Sequence, residues 1–273
     1  MALKDQRQLL SEALELTADA IDLTEAQYKA AVEMAKETVA QHLFPTEILD
    51  QNGNVAQHFS DEEEKKYLEI LQEFNMELQY NKLHLIHEVF LAAIREKKLS
   101  TRTFLSYLQA NSWFGKKIQK PMTKDKTITY NWLNLLAPSV HDFFLQLNYA
   151  LANFSNKPNF VLGIDSLTLK LEGLLRDLCR FSGVTTWYLA KDEKGRTVSR
   201  EKDVNRLLHE DKVGDLFDKD DLLFLRFLLV EKAGFNLRHR VAHSLMTFEE
   251  YGAHHMYLLL LALLRLGRYD FVK

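Results

Sequence analysis

The stretch LGIDSLTLKLEGLLRDLCRFSG, Leu162 to Gly183, constrains the fold more than any other. Its apolar residues recur every three or four positions, so a helix over about 160–182 gathers them on one face. Gly183 supplies the stop, because a residue without a Cβ closes a helix in the left-handed conformation. A helix of this length cannot leave that face in water, so other elements must cover it.

Matching patterns lie on both sides. Pro138 suits the first turn of a helix running to about residue 154. TTWYLAKDEKGRTVS sets strand-forming residues around a Glu-Lys-Gly turn and reads as a small hairpin. Short helices are expected near 204–209 and 213–217. DLLFLRFLLVEK is helical over 220–232 and is broken by Gly234. Thr247-Phe-Glu-Glu has the pattern of a capping box, placing a last helix across 256–266. Residues 136–273 are therefore expected to form an antiparallel helical bundle with a small β-hairpin insertion.

Residues 1–135 read as an N-terminal helical region that senses a signal, binds a partner or buttresses the bundle. Helices are expected over 3–20, from Thr24 to about 43, from Ser60 through 80, over 83–97 and over 100–112. FPTEILDQNGNVAQHF reads as a loop turning at Asn52-Gly53, and GKKIQKPMTKDKTIT as a linker or exposed loop. Ten glycines and four prolines are too few for the turns of an all-β chain, so the expected fold class is all-α.

Several function classes drop out. One cysteine, Cys179, excludes an internal disulfide and a cysteine-based zinc site, and its helical position suits a buried thiol. The apolar run MYLLLLALL is far shorter than the ~20 residues that cross a bilayer. The start, MALKDQRQLLSEALEL, is charged throughout, unlike a secretory leader. The expectation is a soluble, cytoplasmic protein with no membrane contact. The net charge of −3 argues against wholesale coating of nucleic acid. Locally, however, Arg95 to Lys126 holds nine basic residues against Glu96 and Asp125, interleaved with Phe104, Tyr107, Trp113 and Phe114. That combination suits single-stranded RNA, or else the aromatics are core and the lysines solvate a loop. Phosphate-loop, dinucleotide, nucleophile-elbow and kinase motifs are absent.

The remaining candidate is FNLRHRVAHSLM, Phe235 to Met246. His239 and His243 are i,i+4 neighbours on one helical face, and Arg238 lies about 140° from His243 on an ideal helix. Histidine exchanges protons near neutrality, and arginine offers a charged, planar fork of donors that fits a phosphate. Together they supply the parts for metal-free phosphodiester cleavage. Two other readings stay open on spacing alone. Cations gather at ordinary helix C-termini. His239 and His243, joined by His254 or His255, also have spacing for a zinc site, in a metal-dependent hydrolase.

NLRHRVAH fits the R-x4–6-H motif of the HEPN superfamily (higher eukaryotes and prokaryotes nucleotide-binding). It resembles the bacterial C-terminal domains with the signature N-L-R-N-x-x-A-H-G, with His239 in place of the second Asn and Ser244 in place of Gly. The resemblance extends over residues 160–273, including LEGLLRDLCRFSGVTTW. It implies a bundle of four or five helices, often dimerised across a cleft, and metal-independent RNase chemistry leaving a 2′,3′-cyclic phosphate. Such members act in toxin–antitoxin and phage-defence systems, so RNA, a second copy and an antitoxin or defence partner are the implied partners. No cofactor or metal is implied. By the resemblance Arg238 binds the scissile phosphate and His243 is the acid/base. His239 orients His243 or touches RNA, Arg240 contacts RNA, and Asn236 has a structural role at a helix start. Glu172 and Arg176 are i,i+4 neighbours on the earlier helix and read as an intrahelical pair; by the resemblance Glu172 is alternatively placed to pair with Arg238. Other members only bind nucleotides, RNA or proteins, so a non-catalytic module is the alternative.

Overall fold

The computed structural model describes residues 3–37, 46–49, 55–59, 61–123, 126–153 and 157–270. Helices α1 (Leu3–Asp19) and α2 (Glu25–Glu37) lead to an antiparallel pair, β1 (Thr46–Leu49) and β2 (Val55–Phe59). Then come α3 (Glu62–Met76), a π-helical segment (Glu77–Lys82), α4 (Leu83–Arg95) and α5 (Thr101–Asn111). A second antiparallel pair, β3 (Ile118–Thr123) and β4 (Lys126–Tyr130), precedes the long helices α6 (Trp132–Ala152) and α7 (Val161–Phe181). A third hairpin, β5 (Trp187–Lys191) and β6 (Thr197–Glu201), follows, then α8 (Val204–Leu208) and α9 (Asp211–Gly214). The chain ends in α10 (Lys219–Leu229), α11 (Leu237–Ala242) and α12 (Ala253–Arg268). The protein is thus mainly helical with small two-stranded sheets. No helix among the described residues is long and apolar enough to cross a membrane.

Two stretches expected as loops are hairpins. In β3–β4, Thr127, Ile128, Thr129 and Tyr130 are strand formers whose signal was hidden by the surrounding lysines. Pro121 is accommodated because the register shifts between it and Thr123. In β1–β2, Thr46 pairs with Phe59 and Ile48 with Gln57, an alternation too short to stand out. The Asn52-Gly53 turn and the Ser60 start lie outside the described residues. Asp61 caps α3, its side chain accepting from the Glu64 N–H at 2.8 Å.

Two helix starts also differ. Pro138 lies inside α6, not at its head, because the Asn131 side chain caps the helix earlier through the Asn134 N–H at 2.9 Å. The capping box at Thr247 closes only a 3-10 turn, Phe248–Glu250, and α12 begins after Gly252.

Gly183 ends α7 as expected, at φ +79°. The Val184 N–H reaches the Cys179 carbonyl at 2.8 Å and the Gly183 N–H the Arg180 carbonyl at 3.2 Å, the paired bonds of a Schellman closure.

Apart from Ala31, Phe59 and Leu68, the buried apolar residues from Leu14 to Leu266 form one cluster around α12. Every residue of α12 from His255 to Gly267 is buried, so this helix is apolar all round rather than amphipathic. It packs against α1, α4, α5, α7 and α10. Its one buried cation, Arg265, is 1% exposed and fully engaged. Nη1 donates to Asp221 at 2.6 Å, Nε and Nη2 donate to the Ala18 carbonyl at 3.0 and 2.8 Å, and Nη2 also meets Asp22. Tyr269 donates to the other oxygen of Asp221. This network fastens the α1–α2 corner to the last helix.

Candidate active site

The site is built on α11, which packs on α7 and α10. Leu237 and Val241 turn inward, and the polar residues of the same short helix face outward. The chain enters through Gly234, whose position leaves no room for a side chain: a Cβ there would lie 2.2 Å from the Phe227 carbonyl oxygen of α10. Asn236 then takes a left-handed conformation (φ 47°, ψ 38°), which Asn tolerates better than most residues. Its role is backbone geometry, because its side chain makes no capping bond.

The exit is a second Schellman closure. His243 is the C-cap, Ser244 is left-handed at φ 53°, and the Leu245 N–H reaches the Arg240 carbonyl at 2.8 Å. The Ser244 N–H completes it on the Val241 carbonyl at 3.1 Å. This backbone demand explains why glycine suits position 244 in the signature that the stretch resembles. Ser244→Gly is expected to stabilise the fold by about 0.5–1 kcal/mol, by relieving the Cβ penalty. Calorimetry would read this as a Tm rise of roughly 1–4 °C.

Arg238 and Glu172 come together as expected. The Arg238 Nε donates to Glu172 Oε2 at 2.8 Å, and the Arg176 Nη2 donates to Oε1 at 2.7 Å. Glu172 is nearly buried, and this double engagement fixes its carboxylate. Arg238 is 30% exposed, and its two Nη groups make no hydrogen bond among the described residues. Arg176 goes on to the Lys202 carbonyl at 3.0 Å and to Glu201 at 3.5 Å.

His239 and His243 are both exposed, with ring centroids 4.6 Å apart. Neither ring has a hydrogen-bond partner among the described residues. His239 is held below the ordinary imidazole range, first by partial desolvation and then by the positive field of His243, Lys232 and Arg238. Arg240 points elsewhere: it pairs with Glu250, whose carboxylate also caps the Thr247 N–H at 2.7 Å. The sequence showed Glu250 only as a capping residue, and its second task was not legible.

His254 and His255 do not diverge as successive helical residues are expected to. Both sit in the first turn of α12, with ring centroids 4.0 Å apart. His255 Nδ1 donates to the Glu250 carbonyl at 2.9 Å, while Nε2 is buried with no partner among the described residues. Among the described residues no group of three His, Cys, Asp or Glu side chains is placed to hold a metal. Burial pushes the His255 pKa down to about 3. As pH falls through ~6.5 the unfolded chain therefore takes up a proton that the folded chain refuses until about pH 3. Stability falls with pH across that window. His255→Asn, which keeps a donor for the Glu250 carbonyl, is expected to flatten the decline, measured as urea midpoints between pH 6.5 and 4.

The aromatics of the basic stretch are core. Phe104, Trp113 and Phe114 are buried, and the Trp113 Nε1 donates to the Leu266 carbonyl at 2.9 Å. Tyr107 donates to Glu15 at 3.1 Å. Comparison of the chain with protein-family models, curated proteins and solved structures gives no match.

Proposed function

We propose that the protein is a metal-independent endoribonuclease of the HEPN type. One observation carries this reading. A nearly buried Glu172 holds Arg238 by its Nε, which leaves the outer fork of the guanidinium without a partner among the described residues, on the same short helix as two exposed imidazoles. In the reaction, the ribose 2′-oxygen attacks the adjacent phosphorus and the bond to the 5′-oxygen breaks. His243 accepts the 2′-hydroxyl proton or gives one to the leaving oxygen. The fork of Arg238 meets the charge that builds on the phosphoryl oxygens. His239 is held toward its neutral form by partial desolvation and the positive groups around it. Arg240, tied to Glu250, supplies background field rather than a fork. A helical bundle that pairs with a second copy, and a toxin or defence setting with a partner protein, belong to the same proposal.

A second reading is a non-catalytic module that binds nucleotide, RNA or a protein. It is favoured by the lack, among the described residues, of any hydrogen bond that orients the His243 ring. Incubation with RNA in EDTA separates the two. The nuclease reading expects cleavage that survives chelation and leaves 2′,3′-cyclic phosphate ends. Absence of cleavage, or its loss on chelation, overturns it.

A further inference from the structure

The β5–β6 hairpin has one face anchored and one face open. Side chains alternate along a strand, and cross-strand partners share a face. Tyr188 and Ala190 with Arg200 and Val198 form one face. That face is tied to α8, where the Arg206 guanidinium lies 4.2 Å from the Tyr188 ring centroid. Trp187, Leu189 and Lys191 with Glu201, Ser199 and Thr197 form the other. There Trp187 is 50% exposed and Leu189 65% exposed. The other two tryptophans, Trp113 and Trp132, are buried at 2% and 5%. A half-exposed tryptophan beside an exposed leucine on a two-stranded sheet gives little to stability and leaves a flat aromatic surface for a ligand.

Charge on the hairpin is uneven. Asp192 is spent on the Lys194 and Arg196 N–H groups and on the Arg196 side chain. Glu201 faces Arg176. Lys191 and Lys194, and Arg200 on the anchored face, have no acidic partner among the described residues, the exposed Glu193 of the turn has no basic one, and Lys191 meets only the Thr197 hydroxyl at 3.1 Å. An open aromatic face bordered by Lys191 and by the hydroxyls of Ser199 and Thr197 matches a nucleobase attached to a phosphate.

Its place matters most. Glu201, directly opposite Trp187, contacts Arg176. Arg176 donates to Glu172, and Glu172 holds Arg238. The open face therefore begins where the chain of ion pairs leading out of the candidate site ends.

We propose that this face is a stacking platform for single-stranded RNA: Trp187 receives a base of the strand that passes Arg238, and Lys191 meets its phosphate. The proposal rests on the ribonuclease reading and names that site's substrate as single-stranded. The test uses the full chain and a short single-stranded RNA carrying 2′-O-methyl groups, which lacks the attacking hydroxyl and so reports binding alone. Because Trp187 is the exposed tryptophan, RNA is expected to quench its emission saturably. By anisotropy of labelled RNA, Trp187→Ala is expected to bind roughly 5- to 150-fold more weakly, the range of one lost base stack. Trp187→Phe, which keeps a ring, is expected to retain most of the affinity and shows that the hairpin still folds. Lys191→Ala is expected to lower the salt dependence by about one phosphate contact. Equal affinity of wild type and Trp187→Ala, with no quenching, overturns the platform even if unmodified RNA is cut normally. Failure of wild type to bind or cut RNA overturns the platform and the nuclease reading together.

Discussion

His243→Ala is expected to lower single-turnover RNA cleavage by roughly 10²- to 10⁴-fold, the range for losing a positioned proton-transfer group. Tm is expected to stay nearly unchanged, because the ring is exposed and without a hydrogen bond among the described residues. Arg238→Ala is expected to lose activity on a similar scale, through the charge developing on the phosphate. Its stability cost is small, since Glu172 keeps its bond from Arg176. Arg238→Lys sharpens the comparison. It keeps the charge but loses the planar fork that lets one nitrogen hold Glu172 while the others face a phosphate. An activity near that of Arg238→Ala would show that the fork, not the charge alone, is needed. Cleavage by both alanine variants at the wild-type rate would remove these residues from the chemistry.

Arg265→Ala is expected to be the most damaging single change to the fold. It deletes a cation that is 1% exposed, leaves the buried Asp221 with the Tyr269 hydroxyl but no counter-charge from Arg265, and leaves the Ala18 carbonyl without its two donors. Breaking a buried pair from one side costs about 3–5 kcal/mol. For a chain of this size that lowers Tm by roughly 6–20 °C, or prevents folding. The control lies one turn along. Arg268 pairs with Asp19 at a half-exposed position, and Arg268→Ala is expected to cost about 0–1 kcal/mol. Equal urea midpoints for the two variants would show that the Arg265 network does not hold the corner.

Helices with a strong period were legible, α7 to within a residue at each end and α10 and α12 to within about three residues. The pattern from Leu162 to Gly183 gave α7 and its stop, because one face is apolar and only glycine closes cheaply at φ +79°. The hairpin at Trp187 was legible for the same reason, since strand formers flank a short polar turn. What failed was local signal diluted by charge. The lysines around Thr127–Tyr130 masked a strand, and Pro138 drew the start of α6 away from Asn131. At the site, the proximity of Arg238 and Glu172 was readable from helix patterns together with the resemblance. That Glu250 takes Arg240 was not, since it depends on a turn ten residues away that no spacing rule reaches. The basic stretch misled in another way. Aromatics beside lysines look alike in sequence whether they face RNA or the interior, and only burial separates Trp113 from Trp187.

The burial of α12 on every side has a consequence for how the chain is made. Each of the other described elements leaves the ribosome before the helix they surround. Until α12 emerges, α1, α4, α5, α7 and α10 hold apolar faces with nothing between them, and Asp221 and Asp22 wait for Arg265. The α11 residues that carry the candidate chemistry are thus synthesised onto a scaffold still lacking its centre. Those faces and carboxylates meet their partners only when α12 is present.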